Sequence, residues 1–314
     1  MPKAGTGPRN LPGYSGAMII ATLLAAAAQA AAAPPAPPKT PTELVAAVPA
    51  SAWRAIPADE LLVITLKGGG QVVVQLAPAF APVHVANIQM LARANYWDGA
   101  AIYRVQDNYV AQWGSGESEK PFPAGFVANP PAEYHRALAG LDVRELPYPD
   151  SYEPKAGYAL GWPMAYNPQA GTANLVHCYA TVGVGRGLTD TGSGGELYAI
   201  IGNAPRQLDR NIAIVGRVVE GIERMSALPR GTEALGFYKE RSEDVPIVSA
   251  RLASQLPATE QPQFEYMDTA GAAFGDYVRL RANRKDDFYI RPAGGVEICN
   301  APVPVRRKPG GERG

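Results

Sequence analysis

Two apolar, β-branched runs mark the first regular pattern in the chain. LLVITL at 61–66 and QVVVQL at 71–76 are separated by Lys67 and three glycines. Glycines accept the positive φ values of a tight turn, so the pattern predicts a β-hairpin. Pro78 and Pro82 end the second run, because proline has no N–H to contribute to a strand ladder.

The spacing of apolar residues changes after the hairpin. The next apolar positions are spaced for an amphipathic helix and are Val83, Ala86, Ile88, Leu91 and Ala94. Pro82 suits the first turn of this helix. Residues 95–99, NYWDG, predict a turn, and residues 101–105 and 109–113 predict two more short strands. Four strands with one helix after the second favour a mainly antiparallel β arrangement over repeated βαβ units.

The composition of the 314-residue chain limits its possible functions. Hydrophobic residues make up 46% of it, enough for a real core, while 30 prolines and 33 glycines indicate many turns and loops. The 29 basic and 29 acidic residues cancel, which argues against a nucleic-acid partner because such proteins carry a basic face. The histidines are scattered without the spacing of a zinc site, so no metal is predicted.

The first thirty residues are typical of a secretory signal peptide. Lys3 and Arg9 precede the apolar run 18–24, and AQA at 28–30 supplies the small residues that a signal peptidase recognises. The apolar run is too short to span a bilayer. We expect cleavage near Ala30, no stable membrane insertion, and a periplasmic or secreted protein. The alternative is an alanine-rich tail without structure.

A linker is predicted after the signal peptide. Residues 31–58 are rich in Pro and Ala. The stretch PPAPPKTPTELVAAVP at 34–49 is typical of a semi-rigid polyproline spacer without hydrogen-bonded structure. Recognition of a partner by this stretch is the alternative.

Arg104 and Gln112 are unexpected inside the predicted strand pair IYRVQDNYVAQWG. Taken alone, they could be polar residues on a solvated strand face. Their surroundings, however, contain a set of recognisable motif positions, namely Pro82, Asn87, Tyr96-Trp97-Asp98-Gly99, Tyr103-Arg104-Val105, Gln112, Gly114, Leu208-Asp209, Gly216, Val218 and Glu220-Gly221. In these positions the chain resembles the cyclophilin-type peptidyl-prolyl isomerases, with Tyr109 in place of a phenylalanine of that family. The resemblance covers about half of the chain and implies a mainly β fold, a closed antiparallel β-barrel capped by helices.

The same resemblance implies which residues form the site. Arg104 and Gln112 are the expected catalytic residues. The expected substrate-binding residues are Tyr109, Val110, Leu197, Tyr198, Ala199, Gln207, Leu208 and Ile212. In this alignment Ala199 stands where the family has a phenylalanine at the floor of the proline pocket. Ile212 and Val110 replace a histidine and a methionine, so the pocket is expected to be shallow and poor in aromatic rings.

A fixed arginine suits the rotation of an X-Pro bond. The peptide bond resists rotation by about 18–20 kcal/mol because the nitrogen lone pair is delocalised. At the twisted transition state the lone pair returns to the prolyl nitrogen, and a guanidinium that donates to it favours the twisted form. No cofactor is needed.

We therefore expect a peptidyl-prolyl cis-trans isomerase that assists the folding of exported proteins. Its partners would be unfolded or Pro-containing polypeptide segments, and it would act as a monomer. The alternative is a non-catalytic, cyclophilin-like module for peptide binding or chaperoning, which the loss of pocket aromatics favours. The retained Arg104 and Gln112 favour catalysis.

Two segments lie outside a minimal isomerase. An insertion at about 117–175, rich in Pro, Tyr and Gly, interrupts the expected domain 59–256. A C-terminal α/β extension covers 257–314 and contains a predicted helix over about 270–284. The aromatic residues of this helix suit burial, so we expect the extension to pack on the barrel.

Cys178 and Cys299 are the only cysteines of the chain. In an oxidising compartment such a pair often forms a disulfide, which here would tie the extension to the barrel. Two buried free thiols are the alternative.

Overall fold

The computed structural model describes residues 40–115 and 120–309. The predicted signal peptide and the linker up to residue 39 lie outside the described residues. Within these two ranges no helix is both long and apolar enough to cross a bilayer.

The described residues form the following elements. The α-helices are α1 Pro41–Ala47, α2 Pro82–Arg93, α3 Ile222–Ser226 and α4 Ala272–Ala282. The strands are β1 Trp53–Ala55, β2 Leu61–Leu66, β3 Gln71–Leu76, β4 Ala101–Val105, β5 Val110–Gly114, β6 Arg136–Ala137, β7 Arg144–Leu146, β8 Lys155–Ala159, β9 Trp162–Asn167, β10 Thr172–Leu175, β11 Thr181–Val184, β12 Leu197–Ile200, β13 Ile214–Glu220, β14 Val245–Leu252, β15 Phe264–Met267 and β16 Val305–Arg307. Short 3-10 helices cover Ala50–Ala52, Ala58–Glu60, Arg206–Leu208, Ala234–Gly236, Arg241–Glu243, Ala253–Gln255 and Ile298–Asn300.

Eight strands close into an antiparallel barrel in the order β11-β12-β5-β4-β14-β2-β3-β13. The hairpin β2–β3 has the predicted bounds, with Leu61 opposite Gln75 and Thr65 opposite Gln71. Trp113 and Ile102 are fully buried in the barrel core, and α2 and α3 contribute apolar side chains to the same core. The prediction of a mainly β fold with a closed antiparallel barrel and capping helices is confirmed.

Helix α2 buries only part of the predicted face. Ile88 and Leu91 are fully buried as predicted, but Ala86 and Ala94 are exposed, whereas the polar residues His84 and Asn87 are buried. The helix therefore has a second neighbour besides the barrel, which its apolar spacing did not indicate.

This second neighbour is the start of the insertion. The Glu133 carboxylate accepts the backbone N–H groups of Val83 and His84 at 2.9 and 3.0 Å, which satisfies two free donors of the first helical turn. The same carboxylate lies 2.7 Å from the His84 ring. Asn87 exchanges two hydrogen bonds with the backbone of Val127. These contacts fasten the insertion to α2.

Most of the insertion forms a second antiparallel sheet, with the strand order β6-β10-β9-β8-β7. On the barrel side, Trp162 and Met164 cluster with Phe80 and Ile214. Towards the extension, the sheet clusters with α4 through contacts such as the edge-to-face pair Tyr158 and Phe274, whose ring centroids are 4.7 Å apart. The helix of the extension thus packs on the insertion sheet, while β15 reaches the outer face of the barrel hairpin.

Residues 40–58 are not a spacer. Helix α1 begins with a capping box, in which Thr40 Oγ1 accepts from the Glu43 N–H at 3.2 Å and the Glu43 carboxylate accepts from the Thr40 N–H at 2.8 Å. Strand β1 pairs with β15, with Trp53 opposite Met267, in the three-stranded sheet β1-β15-β16. The predicted absence of hydrogen-bonded structure is therefore wrong for residues 40–48, where the capping box begins α1. Residues 53–55 of the predicted linker form a strand because the extension supplies its partner.

A disulfide joins Cys178 to Cys299, with the Cα atoms 5.2 Å apart. Cys178 lies shortly before the barrel strand β11, and Cys299 lies in the 3-10 helix of the extension. The bond thus connects segments that are 121 residues apart in sequence.

Candidate active site

A β-bulge brings two neighbouring residues of β4 to one residue of β5. Ile102 pairs with Trp113 and Arg104 with Gln112, so Tyr103 is the extra residue on β4. Strict alternation would direct Tyr103 and Arg104 to opposite faces. With the bulge both side chains reach Gln112. Its Nε2 donates to the Tyr103 hydroxyl at 2.8 Å, and its Oε1 accepts from Arg104 Nη1 at 2.8 Å.

Three neutral acceptors hold the Arg104 guanidinium. Arg104 Nη1 donates to Gln112 as described above. Its Nη2 donates to Gln106 Oε1 at 2.5 Å, and its Nε donates to the Leu235 carbonyl at 2.7 Å. The Phe237 ring lies on its flank, with Cζ 5.5 Å from the ring centroid. Burial lowers the pKa of Arg104, but a guanidinium keeps its proton in proteins. Within the described residues, one N–H on each terminal nitrogen remains without an acceptor.

A carboxylate completes a hydrogen-bonded chain behind Arg104. The Tyr103 hydroxyl donates to Glu196, so the chain runs from Glu196 through Tyr103 and Gln112 to Arg104. Burial and the negative charge of Glu196 raise the pKa of the Tyr103 phenol, which therefore stays a donor. A Cβ at Gly114 would overlap the Glu196 carboxyl group in this position, so a larger residue there would displace the carboxylate from the chain.

An apolar cluster lies beside Arg104 and contains four of the predicted substrate-binding residues. Val110 and Tyr198 are its buried members, 2% and 5% exposed, together with Ile200. Tyr109 and Ile212 pack against them. The Tyr109 ring centroid lies 5.9 Å from Arg104 Cζ and joins the cluster to the guanidinium. We call this set, Tyr109, Val110, Tyr198, Ile200 and Ile212, the pocket cluster.

Leu197 and Ala199 do not belong to the pocket cluster. Side chains alternate along β12, and both residues point into the barrel core, where they are almost fully buried. The structure therefore places Ala199 in the core and not at the floor of the pocket cluster, contrary to the prediction. Tyr198 lies in the cluster with Tyr109, so the cluster contains two aromatic rings.

Gln207 and Leu208 lie on the 3-10 helix Arg206–Leu208. Gln207 is exposed and Leu208 is half-buried. The structure does not bring either residue into the pocket cluster.

The Tyr198 hydroxyl begins a buried polar chain. It lies 3.1 Å from His177 Nε2, and His177 Nδ1 lies 2.8 Å from Asp209 Oδ1. If Nδ1 donates to the carboxylate, Nε2 accepts from the phenol. Asp209 pairs with Arg206, which also donates to the insertion residue Asp150 at 2.9 and 3.0 Å. The pocket cluster is therefore linked to the insertion. Burial raises the pKa of Tyr198, which keeps the phenol neutral.

A cleft of about 420 Å³ continues from Gln112 along the barrel surface. It is lined by Phe122 of the insertion and by the charged residues Arg186, Asp190 and Glu196. The cleft adjoins Gln112, whose side chain accepts the hydrogen bond from Arg104.

Tyr103, Glu196, His177 and Arg206 were not predicted as parts of the site. His177 was noted only as a histidine without zinc-ligand spacing, and the structure shows no group of three or more metal-ligating side chains in residues 40–115 and 120–309. Tyr103 adjoins Arg104 in sequence, but alternation argued against a shared face. His177 and Arg206 gave no sequence signal, because their partners are distant in the chain.

Known proteins share parts of this sequence and its fold. Residues 61–252 match the family model described as cyclophilin type peptidyl-prolyl cis-trans isomerase/CLD. Probable peptidyl-prolyl cis-trans isomerases of Brucella suis and Brucella abortus are 26% identical to this chain over 179 residues, which covers 56% of this chain and 74% of theirs. In fold, the chain resembles a crystal structure of a cyclophilin from Hirschia baltica, with a TM-score of 0.63 and 22% identity over 81% of this chain and 93% of that one. The chain belongs to the cyclophilin-type peptidyl-prolyl cis-trans isomerase family.

Proposed function

We propose that Arg104 supplies the hydrogen bond that drives X-Pro isomerisation in this protein, and that Gln112 positions it. Peptidyl-prolyl isomerisation is the activity of the family. The observation that carries the assignment of roles is the geometry of Arg104. Three acceptors hold its guanidinium beside the pocket cluster, and one N–H on each terminal nitrogen has no acceptor within the described residues.

The chemistry requires no covalent step. The prolyl ring would occupy the pocket cluster against Val110 and Tyr198, with its nitrogen towards Arg104. As the amide twists, the nitrogen lone pair becomes available as an acceptor, and the guanidinium donates to it. Because the planar cis and trans forms lack this acceptor, the hydrogen bond is made only at the transition state and lowers the barrier.

Gln112 and Tyr103 restrain the Arg104 side chain through hydrogen bonds, in addition to any contact with the substrate. A donor that is already held in place needs little reorganisation when the amide twists. The chain from Glu196 through Tyr103 and Gln112 restrains Arg104 from one side, and the Leu235 carbonyl restrains it from the other. We propose that this restraint is the main role of Gln112.

The test is the turnover of an Ala-Pro peptide in a protease-coupled or NMR-exchange assay. Arg104→Ala should lower kcat/KM by about 10- to 1000-fold, the effect of losing about 1.4–4 kcal/mol of transition-state stabilisation. Arg104→Lys should restore little, because an ammonium lacks the planar fork. Peptide affinity should change far less than turnover, since the pocket cluster is intact.

Arg136→Ala is the matched control. Arg136 is also an arginine stacked on an aromatic ring, with Cζ 5.6 Å from the Phe80 centroid, but it lies on the insertion sheet. The substitution Arg136→Ala should leave turnover unchanged. If wild type and Arg104→Ala isomerise the peptide equally, the proposed role of Arg104 is wrong. If neither exceeds the spontaneous rate, the protein is a peptide-binding module.

We also propose that the protein is exported and acts as a monomer on other exported proteins. Support comes from the basic, apolar and small-residue order of residues 1–30 and from the Cys178–Cys299 disulfide, a bond typical of oxidising compartments. N-terminal sequencing of protein from the cell envelope should find a terminus at Ala31, and sedimentation should give the mass of one chain. An intact Met1 on cytosolic protein would reject export.

A further inference from the structure

A second cavity is lined by residues of β13, the insertion sheet and the extension. Its volume is about 330 Å³, within the range of about 300–1,000 Å³ that is typical of small-molecule sites. The walls are largely apolar, with Trp162 from the insertion, Ile214 and Val219 from β13, and Ile298 and Val303 from the extension. None of the lining residues belongs to the pocket cluster or to the chain that holds Arg104.

Arg217 is the one charged residue among those that line this cavity. Its Nε and Nη2 donate to the neutral Gln75 Oε1 at 3.0 and 2.8 Å, and its Cζ lies 4.5 Å from the Trp162 ring centroid. Three of its five N–H groups have no acceptor within the described residues. The Gln75 amide and the indole orient the guanidinium but do not neutralise it.

Two carboxylates, one on the same strand as Arg217 and one on the adjacent sheet, are paired with other arginines. Glu220, at the end of β13, accepts from Arg307 Nε at 2.6 Å. Glu265, on the adjacent sheet, accepts from Arg306 Nε at 2.6 Å. Arg217 thus has no carboxylate partner within the described residues, and burial lowers its pKa to about 10. An unpaired cation in an apolar site is costly, and a bound anion offsets that cost.

We infer that this cavity binds a small amphiphile with an anionic head and an apolar tail, such as a medium-chain fatty carboxylate. The carboxylate would accept the remaining N–H groups of Arg217, which match its two oxygens. The tail would lie among the apolar side chains of β13 and the extension. The Cys178–Cys299 disulfide also lines the cavity and holds its two walls together.

The test uses three probes with the same alkyl chain, below their critical micelle concentrations, with the full-length protein. Decanoate should bind in isothermal titration calorimetry and raise the Tm, whereas decanol should bind at least about tenfold more weakly, as expected for the loss of one charged pairing. Decyltrimethylammonium should not bind. Arg217→Met should remove the preference for decanoate over decanol, and Arg217→Lys should keep part of it.

Two further variants separate binding from folding. Arg136→Met removes an arginine that also stacks on a ring but lies outside the cavity, and it should bind decanoate as wild type does. Val219→Trp should fill the cavity and abolish binding of both decanoate and decanol. Isomerase activity should be unchanged in Arg217→Met, because the cavity shares no residue with the pocket cluster.

Equal affinities of the wild type for decanoate and decanol would overturn the anion site. An absence of decanoate binding would show that Arg217 has only a structural role, packing between the barrel and Trp162. Both comparisons are made on the wild-type protein, so they decide the question even if the Arg217 variants fail to fold. Decanoate binding that persists unchanged in Val219→Trp would place the ligand elsewhere.

Discussion

Replacing Tyr103 with phenylalanine should loosen the chain that holds Arg104. The substitution keeps the ring, which stacks on Phe237 with the centroids 6.0 Å apart, and removes only the hydroxyl. That hydroxyl accepts from Gln112 Nε2 at 2.8 Å and donates to Glu196. Two hydrogen bonds are therefore lost, one of them to a carboxylate.

The size of the effect follows from these two bonds. A neutral hydrogen bond contributes about 0.5–1.5 kcal/mol and one to a charged group about 1.5–3 kcal/mol. Tyr103, Gln112 and Glu196 are all half-buried, so water can replace part of what is lost. The two bonds together contribute about 2–4.5 kcal/mol when fully buried, so with water replacing part of them we expect the free energy of unfolding to fall by about 1–2 kcal/mol. With Gln112 less restrained, kcat/KM should fall about tenfold, which corresponds to about 1.4 kcal/mol.

The measurement combines urea unfolding with the Ala-Pro turnover assay. Tyr109→Phe is the matched control, because it also removes one phenol beside Arg104, and within the described residues that phenol makes no hydrogen bond. A double-mutant cycle of Tyr103→Phe with Gln112→Ala should give a coupling of at least about 0.5 kcal/mol. Equal losses in Tyr103→Phe and Tyr109→Phe, or unchanged turnover in Tyr103→Phe, would refute the restraint.

Three other predictions concern the stability of the pocket cluster and its surroundings. Thiol titration of unfolded, unreduced protein should find no free thiol, and Cys178→Ser should lower the free energy of unfolding by about 2–5 kcal/mol; two free thiols would reject the bond. Burial raises the pKa of Tyr198, so the native state keeps a proton that the unfolded chain releases above its ordinary pKa of about 10. The buried, neutral phenol therefore makes its full contribution to the free energy of unfolding below about pH 10. Above that pH the contribution decreases by up to about 1.4 kcal/mol per pH unit. Urea unfolding at about pH 9 and about pH 11 should therefore show a smaller loss for Tyr198→Phe than for wild type; the same loss in both would contradict this. Gly183→Ala should lower the Tm, because its Cβ would overlap the Tyr198 phenol; an unchanged Tm would show that the ring can move aside.

Local sequence patterns were sufficient for several elements. The hairpin β2–β3 could be placed because β-branched runs favour strands and glycines favour a tight turn, whatever the rest of the chain does. Helix α4, at Ala272–Ala282, lies within the predicted 270–284. Arg104 and Gln112 could be singled out because polar residues are unexpected in an apolar strand pair. The capping signal Thr40-x-x-Glu43 was also present in the sequence, and a reading of it would have placed α1.

Positions of side chains within the strands could not be derived with the same certainty. The face that a strand residue occupies depends on a period of two, so a shift of one residue exchanges the faces. The alignment placed Ala199 in the pocket, but in the structure Tyr198 faces the pocket cluster and Ala199 faces the barrel core. In β4 the bulge at Tyr103 has the same consequence, because an extra residue lets two neighbours share one face.

While the barrel was implied by the resemblance to the family, what the sequence determined by itself is the hairpin and the presence of an arginine and a glutamine in an apolar strand pair. Only the tertiary structure decided what holds them and what else surrounds them. Glu196 is far from Tyr103 in sequence, and Asp150 is far from Arg206, yet each pair is in hydrogen-bonding contact. The insertion sheet between the barrel and α4, and the cavity at Arg217, likewise depend on segments that meet only after folding. Periodicity and turn residues act over a few positions, whereas these contacts are selected by the packing of distant segments, which no local pattern records.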